Sequence, residues 1–140
     1  MEHFAQDGHA LFSLVLVALM AQILNALTGV RKGSLNMAPG EMHKPDYADV
    51  SYRLDRTYMN SIETIGFYAV LVFAAILAGA SPFWVNLLAT LGLLLRIGQN
   101  VCMIRGIGKA YGGIRTQMAI ASSVVNFALA LFAIWAVFAG

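Results

Sequence analysis

Arg56, Glu63, Arg96 and Arg115 stand inside or at the edge of long apolar runs, where charge is costly. A charged group at the centre of a membrane helix costs roughly 2.5 to 3.5 kcal/mol on insertion scales, so each needs a partner, water or a ligand. Arg56, Asn60 and Glu63 recur at i, i+4 and i+7, which puts all three on one narrow stripe of a helix. Arg96, Gln99, Asn100 and Met103 share one side of the next apolar run, and Arg115, Ser122 and Asn126 fall within about 40° on the last. Glu63 and Arg96 lie at matched depth, roughly 10 to 12 Å from the same end of antiparallel neighbours at a rise of about 1.5 Å per residue, so they are expected to pair. The three arginines still exceed the one glutamate, and the surplus positive charge suits an anionic ligand or a lipid headgroup. Ser122, Ser123 and Asn126 read first as interhelical hydrogen-bonding groups, worth about 0.6 to 2 kcal/mol apiece. For the charged residues, interhelical contact and a small-anion site stay equally open on residue chemistry alone.

The elements that must position these groups are apolar. The chain has 140 residues, 59% hydrophobic and 11% charged, with mean hydropathy +0.72. That leaves too little polar surface to clothe a soluble globule. A hydrocarbon core of roughly 30 Å takes about 20 apolar residues per helix. Four stretches qualify, at about 10–30, 56–79, 83–104 and 116–138, within a single domain covering 1–140. The predicted fold is therefore an all-α integral membrane bundle of four transmembrane helices, in contact with the lipid bilayer. Arg31-Lys32 closes the first span with cations that suit a helix C-terminus. Residues 33–55 contain Pro39, Gly40 and Pro45 and read as an ordered loop with at most a short helical turn. Ala80-Ser81-Pro82 predicts a tight hairpin with Ser81 as N-cap and Pro82 at the first helical position. The glycine-rich run from Arg105 to Arg115 predicts a basic loop.

Charge placement predicts orientation and excludes some functions. Arg31, Lys32, Lys44, Arg53 and Arg56 flank the first loop and Arg105, Lys109 and Arg115 the third, so both long loops are expected to be cytoplasmic and the termini opposite. A net charge of +2, embedded among apolar spans, offers no basic face for nucleic acid. The single cysteine, Cys102, rules out an intrachain disulfide and a thiol pair for metal or redox work, and reads as a small buried hydrophobe. The opening MEHFAQDGHA carries Glu2 and Asp7 and no Lys or Arg, so the first apolar stretch is expected to be a retained anchor rather than a signal peptide. The short termini point to a bacterial inner membrane.

The run Arg56-Thr-Tyr-Met-Asn60-Ser-Ile-Glu63-Thr-Ile, with Arg96 in the third span and Ile114-Arg115 opening the fourth, resembles the MAPEG family, membrane-associated proteins in eicosanoid and glutathione metabolism. Similarity extends over most of the chain, from Thr-Gly-Val-Arg31-Lys32 through the Arg-x3-Asn-x2-Glu helix start and the Gly/Pro hairpin to the arginine heading the last span. The resemblance implies a homotrimer that binds glutathione as co-substrate between subunits near the cytoplasmic face. It also implies that Arg31, Arg56, Asn60 and Glu63 contact or order the glutathione peptide, that Arg96 and the neighbouring Gln99 support the site, and that Arg115 holds the thiolate. A thiol titrating near 8.5 is mostly protonated at neutral pH, and each unit of depression takes about 1.4 kcal/mol, which a guanidinium at a helix N-terminus can supply. Active relatives often carry a second arginine before the asparagine, where this chain has Met59, and tyrosines on spans three and four, where it has Met103 and Ala119. The third loop is also longer than in the synthases of the family. Tyr58 and Tyr111 are candidates to replace the missing tyrosines, although each reads more simply as an interfacial aromatic.

Three functions compete. The first is a glutathione-dependent transferase or peroxidase acting on lipophilic small molecules that enter from the bilayer. The second is a non-catalytic lipid-binding or accessory subunit with a membrane-protein partner, consistent with Met59, Met103 and Ala119. A four-helix multidrug exporter ranks last, because such proteins carry a glutamate in the first span and this one has no acid there.

Overall fold

A computed structural model describes residues 5–139; Glu2, in the opening segment, lies outside the described residues. Four long helices follow one another: α1 (Gly8–Ser34), α2 (Val50–Leu77), α3 (Pro82–Arg105) and α4 (Ile114–Ala139). All four are long and apolar enough to cross a membrane. Their outward faces carry large apolar side chains, among them Phe67, Phe127 and Trp135, each at least 70% exposed. Hydrocarbon rather than water is the solvent such a surface suits, and helices satisfy their own backbone groups within it.

Helix α2 begins six residues before the expected start at Arg56, because Asp49 caps it: its carboxylate accepts the Ser51 backbone N–H at 2.9 Å. The residue reads as loop in the sequence because Pro45 and Asp46 precede it, and Asp46 does form a turn, accepting the Ala48 N–H at 2.8 Å. Ser81 stands at the N-cap of α3 with Pro82 following it, yet its side chain makes no capping hydrogen bond.

Three helices end in the same way. At α1, α2 and α3 the terminating residue is left-handed: Asn36 at φ 54°, Gly79 at φ 75° and Gly106 at φ 68°. At each end, the next N–H reaches back five residues: Met37 to the Lys32 carbonyl at 3.0 Å, Ala80 to Ala75 at 3.0 Å, and Ile107 to Cys102 at 2.8 Å. This Schellman geometry satisfies carbonyls that would otherwise be orphaned, and it turns the chain sharply. At the other end of the bundle, Asn86 of α3 accepts the Ala10 N–H at 2.8 Å and donates to the Gln6 carbonyl at 2.7 Å, so a side chain of α3 pins the start of α1.

Helices α2 and α3 form the central pair, and α1 and α4 each pack against both. The interior is divided along its length. Toward the hairpin between α2 and α3 it is apolar, with Leu14, Val17, Val72, Val85, Ala89, Val125 and Leu129 in one cluster. Tyr68 joins that cluster by donating its hydroxyl to the Ala89 carbonyl at 2.6 Å. Gly92 makes room for the ring: a Cβ there would lie 2.8 Å from Tyr68 Cε2. Toward the long loops the buried positions are polar instead: Ser51, Asp55, Thr57, Ser61, Arg96, Gln99, Asn100 and Arg115.

Two outcomes follow from these local features. Gly92→Ala drives a methyl into the Tyr68 ring and is expected to destabilise the bundle by about 1 to 3 kcal/mol, read as a lower thermal midpoint in detergent; Tyr68→Phe in the same background does not relieve the clash. The Asp49 carboxyl lies below its ordinary range, chiefly because the Ser51 N–H bonds its ionised form. A depressed folded-state value gives stability that is present above the ordinary carboxyl pKa and lost as pH falls through the folded one. Hydrogen exchange at the Ser51 amide should therefore accelerate selectively in that acid window, and Asp49→Asn should remove the pH dependence.

Candidate functional site at the loop end

The polar half of the interior opens toward the first and third loops, and its most deeply buried charge is Asp55 on α2. One carboxylate oxygen faces Lys32 Nζ at 3.4 Å. The other meets His43 twice, at 2.6 Å from ring Nδ1 and 3.3 Å from the backbone N–H. The last turn of α1, the first loop and α2 are thus joined at one side chain. His43 Nε2 is buried and has no hydrogen-bond partner. Beside this cluster a cavity of about 420 Å³ opens among Thr28, Lys32, Pro39, Asp55, Tyr58 and Met59.

Sequence reasoning missed Asp55, His43 and Lys32 as a unit. With α2 taken to begin at Arg56, Asp55 reads as a loop residue; once the helix is extended back to Asp49, Asp55 lies four residues after buried Ser51 on the same face. That i, i+4 pair is the signal that was available.

Arg53 makes a second junction. Its Nη1 donates to the Tyr47 and Ala48 carbonyls at 2.7 and 2.8 Å, and its Nε donates to the Ile104 carbonyl at 3.2 Å. It also packs on Gly106, where a Cβ would lie 3.2 Å from the guanidinium carbon.

Arg115, second residue of α4, is only 5% exposed. Its Nη2 donates to the Gly108 carbonyl at 3.0 Å and its Nη1 faces the Met103 sulfur at 3.2 Å. The Tyr47 ring lies against the guanidinium, 5.3 Å from centroid to Cζ. Arg115 Nε is buried with no partner. Among the described residues no carboxylate pairs with this arginine.

Other expected site residues divide into two groups. Arg96 and Gln99 are buried together, with Arg96 Nη1 donating to Gln99 Oε1 at 3.1 Å. The expected Glu63–Arg96 pair does not form. Glu63 is exposed on the outer side of α2, beside Ile62, Gly66 and Phe67, whereas Arg96 points into the bundle. Matched depth was satisfied, but the two side chains leave their helices in different directions. Arg56 and Asn60 are half-buried on the Glu63 stripe, and none of the three side chains makes a hydrogen bond or ion pair among the described residues. Arg31 is exposed and donates from Nε to Ser51 Oγ at 2.8 Å, linking α1 to the start of α2.

The expected interhelical role of the α4 polar residues is also corrected. Ser123 donates to the Ala119 carbonyl of its own helix at 3.1 Å, and Asn126 Oδ1 is buried without a partner. Cross-helix polar contact comes instead from Asn100, whose Nδ2 donates to Ser61 Oγ at 3.3 Å and faces the Met20 sulfur at 3.3 Å.

Four apolar helices enclosing a cationic, loop-proximal interior define a multi-pass membrane protein with a polar pocket region at one end. The model of the MAPEG family matches residues 9–135, and the chain belongs to that family. No curated protein matches it. The family includes glutathione transferases and peroxidases.

Removing the Asp55 carboxylate would leave Lys32 without its ion-pair partner and His43 Nδ1 without its hydrogen-bond partner. Asp55→Ala is expected to destabilise the protein by about 3 kcal/mol and to expose the first loop to limited proteolysis, whereas a surface acid such as Asp46 should tolerate the same change.

Proposed function

We propose that this protein is a glutathione-dependent transferase or peroxidase of lipophilic electrophiles or hydroperoxides, with glutathione bound at the loop end and its thiolate held by Arg115. The observation that carries this reading is a charge imbalance. Asp55, the buried acid of the loop end, is already shared by Lys32 and His43, while Arg96 and Arg115 are buried with no acidic partner among the described residues. Buried cations without counter-charge are costly, and a bound anion relieves that cost. Glutathione brings carboxylates and an ionisable thiol together.

Arg115 suits the thiolate role. It sits in the first turn of α4, where the helix dipole adds positive potential to its own charge. Its Nε has no protein partner, and the Met103 sulfur on Nη1 is a weak acceptor. The Nε–H can therefore turn to a sulfur anion while the Gly108 carbonyl keeps Nη2, on the same edge of the guanidinium, in place. In transfer, the thiolate forms a bond to the electrophilic carbon of the lipophilic substrate as the leaving group departs with its electron pair. In hydroperoxide reduction, the thiolate attacks the terminal oxygen and releases an alcohol once the alkoxide takes a proton; a second glutathione then resolves the sulfenate to a disulfide.

Glu63 faces away from the bundle, and the side chains of Arg56, Asn60 and Glu63 make no hydrogen bond or ion pair among the described residues, so a peptide bound along this stripe would need a second wall. This favours a homotrimer in which a neighbouring copy, presenting Arg31 at the end of its own α1, closes the site. The loops would face the cytoplasm of a bacterial inner membrane, where glutathione is supplied, and lipophilic substrate would enter laterally.

One observation favours a second reading, a non-catalytic lipid-binding or accessory subunit. An apolar groove of about 390 Å³ runs between α1 and α3, lined by Leu16, Met20, Ile23, Leu93, Ile97 and Val101, and could hold an acyl chain.

Purified protein titrated with glutathione should develop thiolate absorbance that saturates in the millimolar range. Arg115→Ala should abolish that signal and lower conjugation of a standard electrophile by about 100-fold, the scale expected for loss of one preorganised charge donor. Absence of saturable binding at millimolar glutathione, together with copurified lipid or a partner protein, would overturn the catalytic reading in favour of the second.

A further inference from the structure

The first loop reaches across the bundle to Arg115 through Tyr47. The Arg115 guanidinium carbon lies over the Tyr47 ring, 5.3 Å from its centroid, and that ring is itself braced by Tyr52, edge to face at 5.2 Å. Its backbone is held by Arg53, which donates to the Tyr47 and Ala48 carbonyls and, from Nε, to the Ile104 carbonyl at the end of α3. Arg53 thereby locks the first loop to the C-terminal turn of α3. That turn leads into the third loop, where Gly108 accepts from Arg115 Nη2. The guanidinium is consequently contacted from two loops: by the Gly108 carbonyl at Nη2 and by the face of the Tyr47 ring, over which its Cζ lies.

We propose that Tyr47 is a positioning residue for Arg115, holding the guanidinium against the face of its ring and shielding it from water, with Arg53 as the side chain that fixes Tyr47. The inference rests on the glutathione reading above and adds a residue to it from a loop that the charged motif does not include. Two consequences follow from chemistry. An arginine offers its donors in a fixed fork, so holding the guanidinium in place decides which nitrogen meets a sulfur anion. A ring against the guanidinium excludes water and lowers the local dielectric, so the attraction between guanidinium and thiolate is screened less. Both effects belong to the aromatic face rather than to the phenol hydroxyl.

The test compares wild type with Tyr47→Phe, Tyr47→Leu and Arg53→Gln in the full-length protein. Tyr47 is 40% exposed, so these changes empty no core. Two readouts are taken. The Arg115 Nε–Hε resonance, assigned by its loss in Arg115→Lys, reports ring-current shielding without any glutathione. The pH midpoint of thiolate absorbance on bound glutathione reports the consequence. In Tyr47→Phe both should match wild type. In Tyr47→Leu the ring-current shift should vanish and the midpoint should rise by about one pH unit, tenfold in the ionisation constant, with the KM for glutathione changed by less than about threefold. Arg53→Gln should move both readouts in the same direction by less.

A Tyr47→Leu midpoint equal to that of wild type would overturn the inference while leaving the glutathione reading intact. A Tyr47→Phe midpoint shifted as far as that of Tyr47→Leu would overturn it too, by placing the effect in the hydroxyl. If wild type forms no thiolate although the ring-current shift is present, the glutathione reading fails, and the proposed consequence of Tyr47 fails with it.

Discussion

A carboxylate almost without solvent contact, Asp55, holds the loop end together. It draws Lys32 from the last turn of α1 and His43 from the first loop onto one face of α2. A buried acid is tolerable only when its lone pairs are met, and here both oxygens are engaged by groups that can carry positive charge or donate a proton. Anchoring the loop at His43 limits where the next residues can go. Four positions later Tyr47 arrives against Arg115, and its carbonyl falls within reach of Arg53. The first loop is therefore a structural wall of the site rather than a tether between two spans.

Lipid explains why the interior changes character along its length. Hydrocarbon offers no hydrogen bonds, so polar side chains in spanning helices must find partners inside the bundle. At the hairpin end the few polar side chains bond the backbone: the Tyr68 hydroxyl the Ala89 carbonyl, the Ser13 hydroxyl the His9 carbonyl, and Asn86 the start of α1. At the loop end the demand is met by concentrating polar groups among themselves: Ser61 with Asn100, Arg96 with Gln99, Asp55 with Lys32 and His43. What this arrangement leaves over is positive charge, on Arg96 and Arg115 inside and on Arg56 at the margin. Orientation alone would be served by loop cations such as Lys44 and Lys109. Burying arginines serves no topological purpose, which sets Arg96 and Arg115 apart from the loop cations.

Much of this was legible in the residue pattern, and the failures have physical causes. Four apolar runs of spanning length and the left-handed glycine ends of α2 and α3 follow from composition and backbone chemistry. The start of α2 did not, because Asp49 lies among turn residues and only its capping bond to Ser51 distinguishes it. That one displaced boundary hid the Asp55 cluster. Helical periodicity correctly placed Arg56, Asn60 and Glu63 on one stripe but carries no information about which way the stripe faces. A pairing of Glu63 with Arg96 inferred from depth therefore failed on azimuth. The roles of Tyr47 and Arg53 were beyond reach for a different reason: they depend on the path of an irregular loop, which no periodicity encodes.

The chain's departures from the family pattern look less damaging once Arg115 is seen in place. Where relatives carry a tyrosine, Met103 presents its sulfur to Arg115 Nη1 at 3.2 Å. A thioether is a weak acceptor on a flexible stem, so it holds Nη1 only loosely. The Gly108 carbonyl, by contrast, is a strong acceptor on a backbone constrained by Gly108 itself at φ 80°. One nitrogen of the guanidinium is held firmly and another loosely, while the third has no partner among the described residues. Arg53 instead has both Nε and Nη1 bonded to backbone carbonyls, three in all. The contrast between these two arginines, built from the same side chain, separates a residue that fastens the loops through three carbonyls from a buried one that bonds a single carbonyl.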